Sequence, residues 1–381
     1  MKRLYASIIL MMAVAVFAQT DGNGSGFNEM VAIVESRLGS GTGFLVRTED
    51  AVWLYTNEHV LRGGLPVKAR LMNGLGLKIR ELQIAQDRDV ARIKIEGVYP
   101  GFRIADKMPE IGVSVSVVGN SDGAGVGTLL TGRVLGVGPE EVEVSAEFVP
   151  GNSGSPIIEH GGDVIAVATY VTRGKTGSDW TKAGTRFEQV RRFGVRMDGV
   201  LWKSVDWKKY DAQAKLLTSV NTFMDVMYFA CFSKKMLLHE YQDLWKIKTI
   251  GNSSVSSELR SIMNFDKHYQ GCLDKMSKAQ SGYKNMGLQY SAAYYNKTTL
   301  NQYGKKYEKE FYKAKQDADR KGRDSIHQRQ IALRNVMRKL SAIKFDSEHQ
   351  RRIAQSYLSE LQLMLDQYEK DFKWSLGYFH D

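Results

Sequence analysis

Cysteine is scarce in this 381-residue chain: only Cys231 and Cys272 occur, and both lie in the second half. The first half must therefore fold without a disulfide, and neither cysteine has neighbours spaced as metal ligands. In an oxidising compartment the two could form a bridge, and two buried free thiols are an equally good interpretation. The sequence predicts neither a metal site nor a cofactor.

Long apolar runs are missing after the N-terminus. The first residues combine two cationic side chains, an uncharged apolar stretch over residues 4–17 and a small residue, Ala18. This pattern is typical of an export signal cleaved after Ala18, so we expect a periplasmic or extracellular location. The stretch is short for a membrane span, and Asp225 interrupts the most apolar segment farther along. We expect residues 1–18 to be removed and residues 19–25 to form a flexible linker.

Positive charge is unevenly distributed. Residues 19–207 contain 21 Lys and Arg against 23 Asp and Glu, whereas residues 208–381 contain 30 against 19. The basic second half suggests an anionic surface or a protein partner, and a solvated helical surface is the simpler explanation. No nucleic-acid-binding module can be recognised, so nucleic acid is not an expected partner. The sequence does not indicate an oligomeric state.

The chain has two regions of different periodicity, and its length favours two domains. From about residue 26 to residue 202, short runs rich in Val, Ile and Tyr alternate with Gly, Asn and Asp turn signals. Crossover helices between the runs are missing, which excludes a parallel doubly wound fold and predicts an antiparallel barrel or sandwich. The clearest runs are MVAIVES, GTGFLVR, VWLYTN, VARIKIE, VSVSVVG, TGRVLGVG, EVEVSAE and DVIAVATYV.

The second region has a helical pattern. Beyond Trp207, apolar residues recur at intervals of three and four, which predicts roughly four amphipathic helices. The Met and Tyr stripes on these helices are expected to be core rather than a cofactor site. We place the boundary near residue 207, with a β domain over residues 26–207 and an α-helical domain of unknown role over residues 208–381.

The stretch VPGNSGSPII contains Ser153 in a glycine-rich turn between two predicted strands. A serine hydroxyl becomes a good nucleophile only when a base removes its proton and a third group orients that base. The first region has only two histidines, His59 after an apolar strand and His160 at a hairpin tip where exposure is expected. Asp89 opens a strand between His59 and Ser153. The order His, Asp, Ser on an all-β domain is a known arrangement of this triad and excludes the α/β-hydrolase order.

Three blocks, TNEHV, DVARIKI and GNSGSP, resemble the triad blocks of the chymotrypsin-fold, or trypsin-like, serine proteases. GSGTGFLV resembles the strand before the histidine in bacterial members, and VVGNSDGAGVGTLLTGRVLGVG resembles a glycine-rich segment of the HtrA-like branch. The Ser-Pro ending of the serine block is closer to the glutamyl endopeptidases. The resemblance covers about residues 26–207 and implies an antiparallel double β-barrel protease domain. Because helices rather than a PDZ domain follow, the branch's peptide-sensing and cage-forming properties are not expected.

The resemblance implies a role for each matched residue. His59 is expected to act as general base, Asp89 to orient it and Ser153 to be the nucleophile, while the N–H groups of Gly151 and Ser153 form the oxyanion hole. Asp87 is the rival of Asp89, which is favoured because the family's aspartate directly precedes its apolar pair. The implied activity is an exported serine endopeptidase acting on polypeptides. The alternative is a catalytically silent protease-fold scaffold that binds partners through its basic helical domain.

Substrate preference is expected to depend on AVATYV, which resembles the strand lining the primary pocket in this family. Thr169, Tyr170 and Val171 are expected to contact substrate, and Val171 would leave a shallow apolar site suited to Ala or Val before the cut. Glu147 lies where trypsin-like enzymes have an acidic pocket base, which would instead favour a basic residue. Asn152 stands where the animal enzymes have an activating aspartate, so proteolytic activation is not expected.

Overall fold

The computed structural model describes residues 25–173, 190–232, 254–291 and 297–377. The chain divides into two compact units. The first unit comprises Met1–Ala214 and Phe345–Arg351, and the second comprises Lys215–Lys344 and Arg352–Asp381. The predicted export signal lies outside the described residues.

The first unit begins with an eight-stranded antiparallel sheet that curls around a core of Val, Leu and Ile side chains. Its strands are β1 (Val31–Ser36), β2 (Gly39–Arg47), β3 (Val52–Thr56), β4 (Lys68–Leu71), β5 (Gly76–Leu77), β6 (Ile79–Ala85), β7 (Ala91–Ile95) and β14 (Trp202–Val205). Their order is β14-β6-β7-β3-β2-β1-β4-β5. β3 lies in the interior of the sheet and is buried along its whole length, whereas β4 near one edge alternates exposed and buried residues. This difference is expected from their positions in the sheet.

A closed antiparallel barrel of six strands follows. Its strands are β8 (Ser114–Asn120), β9 (Gly127–Val137), β10 (Glu141–Val144), β11 (Pro156–Glu159), β12 (Val164–Arg173) and β13 (Val190–Arg196). The order is β10-β13-β12-β11-β8-β9, and β9 pairs with β10 to close the barrel. Small aliphatic side chains such as Val117, Val142 and Ala166 fill its interior. The predicted chymotrypsin-like β architecture is confirmed, although only this second sheet closes by hydrogen bonding within the described residues.

A third apolar cluster joins the two sheets. Phe44 and Tyr55 of the first sheet pack with Phe102 and with Val167 and Val195 of the barrel. The Phe44 ring lies 5.7 Å from the Tyr55 ring and 6.0 Å from the Phe102 ring, centroid to centroid. Each buried side chain of this size contributes about 1.5–3 kcal/mol. The cluster therefore holds the neighbouring strand ends of the two sheets in fixed relative positions.

Two segments from outside the sheets belong to the same unit. Helix α1 (Trp207–Phe232) begins directly after β14, and its Tyr210 is buried in the core of the first sheet. The segment Phe345–Arg351 lies far along the chain and also packs in this unit. The compact unit thus extends beyond the boundary near residue 207 that the composition suggests.

The second unit is built from helices. It contains the greater part of α1, together with α2 (Ser256–Ser291), α3 (Lys297–Ser341) and most of α4 (Glu348–Gly377), as the helical periodicity predicts. A buried ion pair joins α2 to α3, with Arg329 Nη2 lying 2.6 Å from Asp266 Oδ2. Cys272 on α2 is a free thiol, and the Cys231 side chain lies outside the described residues. Within the described part of the chain, no helix is long and apolar enough to cross a membrane.

Candidate active site

His59 lies just after an interior strand of the first sheet. β3 is followed by Asn57 and a short 3-10 helix, Glu58–Leu61. Val60 and Leu61 are buried in the core and hold this turn in place. The His59 imidazole is therefore presented at the strand end, with its side chain only 25% exposed.

The Asp89 carboxylate holds the histidine by two contacts. Asp89 Oδ2 lies 2.6 Å from His59 Nδ1, and Asp89 Oδ1 accepts the backbone N–H of His59 at 2.9 Å. The backbone contact fixes the carboxylate relative to the turn. The ring contact occupies Nδ1, which leaves Nε2 as the nitrogen available for proton transfer.

Opposing effects set the ionisation of Asp89. Burial raises the pKa of this carboxyl, but the hydrogen bond and charge of His59 lower it, and the charge of His349 lowers it further. The net result is a pKa below the ordinary value for aspartate. Asp89 is therefore ionised at neutral pH and can stabilise a protonated imidazole.

Asp87, the predicted rival, has another partner. Its carboxylate accepts hydrogen bonds from Arg88 Nε at 3.1 Å and from Arg88 Nη2 at 2.6 Å. Arg88 also donates to the carbonyl oxygens of Arg196 and Asp198, which fixes the β6–β7 connection against the residues at the end of β13. The structure thus brings Asp89 to the imidazole and directs Asp87 to Arg88.

The buried side-chain amide of Asn57 links the turn that carries His59 to the barrel. Asn57 is fully buried, and its Nδ2 donates to the carbonyl oxygen of Asp89 at 2.8 Å and to Thr169 Oγ1 at 3.0 Å. These bonds tie the end of β3 to the Asp89 loop and to β12. Asn57 was missed at the sequence level. Its one signal is a polar side chain at the end of a fully buried strand, two residues before His59.

Ser153 lies in the connection between β10 and β11, which packs against β2. Its carbonyl oxygen accepts the N–H of Thr42 at 2.8 Å. Gly154 has φ +88°, and a Cβ there would lie 1.9 Å from the carbonyl oxygen of Thr42, so only glycine fits. The approach of the serine loop to β2 is therefore set by the backbone.

The Ser153 hydroxyl is connected to the His59–Asp89 pair indirectly. Ser153 Oγ lies 3.4 Å from the carbonyl oxygen of Thr169, whose Oγ1 accepts from Asn57. Among the described residues no hydrogen bond joins Ser153 Oγ to His59. The structure thus pairs two of the predicted residues directly and links the third to them through Thr169 and Asn57.

The backbone amides of Gly151 and Ser153 are predicted to form an oxyanion hole. Gly151 has φ +94°, and the carbonyl of the preceding Pro150 accepts the N–H of Asp122 at 2.7 Å. Because the C=O and N–H of a trans peptide point in opposite directions, this bond turns the Gly151 N–H away from Asp122. In the described part of the chain, neither the Gly151 N–H nor the Ser153 N–H has an acceptor. Two adjacent free amides are what an oxyanion hole requires.

Asn152 holds this loop from inside. It is fully buried, and its Oδ1 accepts the N–H of Val149 at 3.1 Å and the hydroxyl of Ser121 at 3.0 Å. Neutral hydrogen bonds therefore hold the loop shape at the position where animal enzymes use a charged pair. This arrangement supports the expectation that a freed N-terminus is not needed.

The predicted pocket residues differ in exposure. Thr169 is buried, whereas Tyr170 is 38% exposed and its ring stacks on Phe193 with centroids 5.0 Å apart. Val171 packs against the core of the barrel. Glu147 is exposed rather than enclosed. Their contact with a substrate stays a prediction.

Arg192 was missed at the sequence level and lies opposite Val171 in the β12–β13 register. It is half-buried, and its Nε donates to the carbonyl oxygen of Phe148 at 3.0 Å. Phe148 belongs to the loop that leads to Gly151. The Arg192 guanidinium therefore lies close to the predicted pocket. The only signal for it in the sequence is the pair of arginines inside a predicted strand.

His160, the second histidine of the β region, is exposed at the β11–β12 hairpin, as predicted. Within the ranges that the structure describes, no group of His, Cys, Asp and Glu side chains is arranged to hold a metal ion.

Comparison with known proteins gives consistent matches to the β region. The sequence model of the trypsin-like peptidase domain matches residues 41–167. A Brucella suis protein described as a probable DegP-like periplasmic serine endoprotease is 31% identical over 157 residues, which cover 38% of this chain and 30% of that protein. An uncharacterized protein of Sinorhizobium fredii is 32% identical over 140 residues, covering 34% of this chain and 22% of that protein. The chain thus spans less than a third of the length of these two relatives.

Solved structures were compared as well. The serine endoprotease from Yersinia pestis has 21% sequence identity and a TM-score of 0.37, covering 45% of this chain and 60% of that one. The family match includes the strand before His59 and continues through Asp89 and Ser153 into β12. Residues 41–167 of this chain are therefore similar to the trypsin-like peptidase domain, within a β unit of the chymotrypsin-like fold.

Proposed function

We propose that the chain is a serine endopeptidase that cleaves polypeptides through His59, Asp89 and Ser153. The observation that carries this proposal is the 2.6 Å contact between His59 Nδ1 and Asp89 Oδ2, at a strand end that Asn57 and Thr169 connect to Ser153. A protein that used this fold only as a scaffold would have no physical need for a buried carboxylate paired with an imidazole.

The proposed reaction proceeds by proton transfer through His59. Ser153 Oγ attacks the scissile carbonyl carbon while its proton passes to His59 Nε2, and the carbonyl oxygen becomes an oxyanion held by the N–H groups of Gly151 and Ser153. The proton then passes from Nε2 to the leaving amine, and an acyl-enzyme remains. A water molecule loses a proton to Nε2 and attacks the ester carbonyl carbon; the bond from that carbon to Ser153 Oγ then breaks, the proton returns from Nε2 to Oγ, and the second product leaves as a carboxylic acid. Asp89 stays ionised and stabilises the imidazolium.

We propose that the Ser153 hydroxyl turns towards His59 Nε2 when substrate binds. Its Oγ lies near the carbonyl oxygen of Thr169 at 3.4 Å, a long and weak hydrogen bond. Rotation about the Cα–Cβ bond therefore costs little and lets Oγ reach Nε2 when substrate binds. Catalytic hydrogen bonds that tighten only in the substrate complex are common in ligand-free enzymes.

We infer a preference for small aliphatic residues before the cut, because Val171 packs against the barrel core beside the loop that leads to Ser153. Two charged side chains near this position would favour other substrate residues. Arg192, opposite Val171, would favour an acidic residue, and the exposed Glu147 would favour a basic one. A profile of cleaved peptides distinguishes them, because Ala and Val, Asp and Glu, or Lys and Arg would dominate the position before the cut.

Export to the periplasm or the exterior is part of the proposal. It is supported by the apolar N-terminal segment ending at Ala18 and by the similarity to the Brucella suis protein, which is described as periplasmic. Mass spectrometry of the mature protein should find Ala18 absent and Gln19 at the new N-terminus. The basic helical region would meet an anionic surface or a protein partner there, and no nucleic acid is expected.

Cleavage of an unfolded protein by the purified full-length chain tests the proposed activity. Wild type should generate new peptide termini, and Ser153→Ala should generate none. Ser155→Ala is a matched control, because Ser155 lies two residues away and is fully buried. Equal cleavage by wild type and Ser153→Ala would reject Ser153 as nucleophile. Absence of cleavage by wild type on a broad peptide library would favour the binding scaffold.

A further inference from the structure

The segment Phe345–Arg351 lies between α3 and α4 in the chain, yet it belongs to the same compact unit as the candidate active site. Phe345 is only 8% exposed, and Ser347 is fully buried. Asp346 forms ion pairs with Lys203 on β14 and Lys209 on α1, at 3.1 and 2.6 Å. The segment is therefore anchored to this unit by both apolar burial and charge.

Part of the segment lies against the turn that carries His59. Glu58, the first residue of that turn, is fully buried, and its Oε1 accepts the phenolic O–H of Tyr210 at 3.2 Å. Burial raises the pKa of Glu58 to about 8, an increase that the hydroxyls of Ser347 and Tyr210 only partly offset. At neutral pH the Glu58 side chain is thus mainly a neutral acid. Tyr210 supplies a hydrogen bond to this buried group, as a buried polar side chain requires.

Ser347 also organises its own segment. Its Oγ accepts the N–H of Gln350 at 3.0 Å, as an N-cap side chain does at the start of a helix. Gln350 is itself buried. The first turn of α4 is thereby fixed in orientation, and this turn contains His349.

His349 lies next to the proposed catalytic imidazole. The ring centroids of His349 and His59 are 6.5 Å apart and their planes are inclined at 48°, within the contact range of aromatic rings. The charge of His349 also lowers the pKa of Asp89, the partner of His59. Three titratable side chains thus meet here, two from the trypsin-like domain and one from nearly 200 residues beyond the matched segment.

We propose that Phe345–Arg351 is a positioning element of the active site, in which Ser347 fixes the first turn of α4 and His349 restricts the His59 imidazole to the rotamer that faces Asp89. A ring at this distance occupies part of the space into which the imidazole would otherwise turn. This inference rests on the proposed function, because it assigns the segment a role in that same reaction. His349 is a positioning residue and takes no proton in the reaction.

Replacement of His349 should therefore affect turnover more than substrate binding. His349→Ala is expected to lower kcat by about tenfold or more with KM within about twofold, because misplacement of a catalytic group mainly affects the reacting geometry. His349→Phe keeps a flat ring and should restore most of the lost kcat. Ser347→Ala should lower kcat in the same way to a smaller extent. His160→Ala, at an exposed hairpin, is the matched histidine control and should change neither parameter.

The test combines peptide hydrolysis by the full-length protein with proton NMR of the His59 Nδ1–H, whose short contact with Asp89 gives a separate downfield signal. His349→Ala should weaken or broaden that signal in a protein that still melts cooperatively, and His349→Phe should restore it. Unchanged kcat and an unchanged signal in His349→Ala would overturn the proposal, as would a loss of kcat that His349→Phe fails to rescue. If wild type hydrolyses no peptide, the proposed function fails, and the NMR signal alone decides whether the segment positions His59.

Discussion

The two halves of the candidate site are organised differently. On the histidine side, His59 and Asp89 make two close contacts, and the buried Asn57 fixes the surrounding backbone. On the serine side, the Gly151 and Ser153 amides are held by the backbone of the loop, while the Ser153 hydroxyl has only a long contact with Thr169. The proposed base is therefore already paired with its carboxylate, whereas the hydroxyl of the proposed nucleophile is held only weakly.

Residues that stabilise charge and the residue that attacks the substrate have different requirements for rigidity. Groups that stabilise charge must be rigid before the reaction, because reorganisation during the reaction would cost free energy. The serine hydroxyl needs only to reach both Nε2 and the substrate carbon, so a small barrier to its rotation does little harm. Substitutions on the histidine side and in the amide loop should therefore be the most damaging.

The largest effect is expected from Asp89→Asn. The amide cannot stabilise the imidazolium and favours the wrong histidine tautomer, so kcat should fall by about 10³–10⁴-fold. Asp87→Asn is the matched control, since Asp87 pairs with Arg88 rather than with His59. Steady-state hydrolysis of a peptide measures both variants. Equal losses in both would contradict the assignment of Asp89.

Gly151→Ala should have the next largest effect. A Cβ there would lie 2.3 Å from the carbonyl oxygen of Asn120, so the loop must shift and the amide of residue 151 turns out of place. Loss of one oxyanion donor lowers kcat by about 10²–10³-fold. Gly112 has the same φ of +94° with nothing within 4 Å, which makes Gly112→Ala a control for backbone strain alone. Similar kcat values for the two variants would exclude an oxyanion role for Gly151.

Glu58→Gln should change the pH dependence of stability. The pKa of Glu58 is about 8 in the folded protein, above its ordinary value of 4.5, so its stabilising contribution is complete at acid pH and is lost as pH rises through about 8. Between pH 6 and pH 9 the wild type should lose about 3 kcal/mol more than Glu58→Gln. Asp89 and Tyr210 face Glu58 and His59 adjoins it, and all three are present in both proteins.

Urea unfolding at both pH values measures this difference. Glu81→Gln, at an exposed position of β6, is the matched control and should behave like wild type. Identical pH profiles for wild type and Glu58→Gln would show that Glu58 is ionised in the folded protein at pH 6, contrary to its buried setting.

Asn57→Ala should have the smallest effect of the four. It removes two buried hydrogen bonds, to Asp89 and to Thr169, and leaves their acceptors unpaired, which costs about 1–3 kcal/mol of unfolding free energy. The exposed Asn73, with its single bond to the N–H of Leu75, offers a milder comparison in Asn73→Ala. Thermal unfolding of both variants measures the cost, and equal melting temperatures would mean that Asn57 does not link the two sheets.

The strands that the sequence predicts are those whose buried side chains dominate. β1, β3 and β12 are near-continuous apolar runs, and their positions follow directly from the sequence. β6 was missed because Arg80 and Glu81 interrupt its pattern. In the sheet, these two residues form cross-strand ion pairs with Glu96 and with Lys94, so the charged side chains face solvent on a paired strand. Such pairing depends on a partner strand and cannot be read from a local window.

The residues of the candidate site could likewise be predicted only in part. His59, Asp89 and Ser153 could be proposed from their order and from the motifs around them, since each motif is local. Asn57 and His349 could not, because their roles depend on contacts between segments far apart in the chain. The partner of Asn57 on β12 is 112 residues away, and the His59–His349 approach spans still more of the chain. Only the folded structure brings such pairs together.

Covalent labelling of Ser153 tests most directly whether the proposed base activates this serine. The full-length wild type and His59→Ala would be treated with a fluorophosphonate, and the modified peptide would be identified by mass spectrometry. We expect labelling on Ser153 in the wild type and a loss of at least about 10³-fold in labelling rate in His59→Ala. Equal labelling of Ser153 in both proteins, or modification at another residue only, would contradict the cooperation of His59 with Ser153.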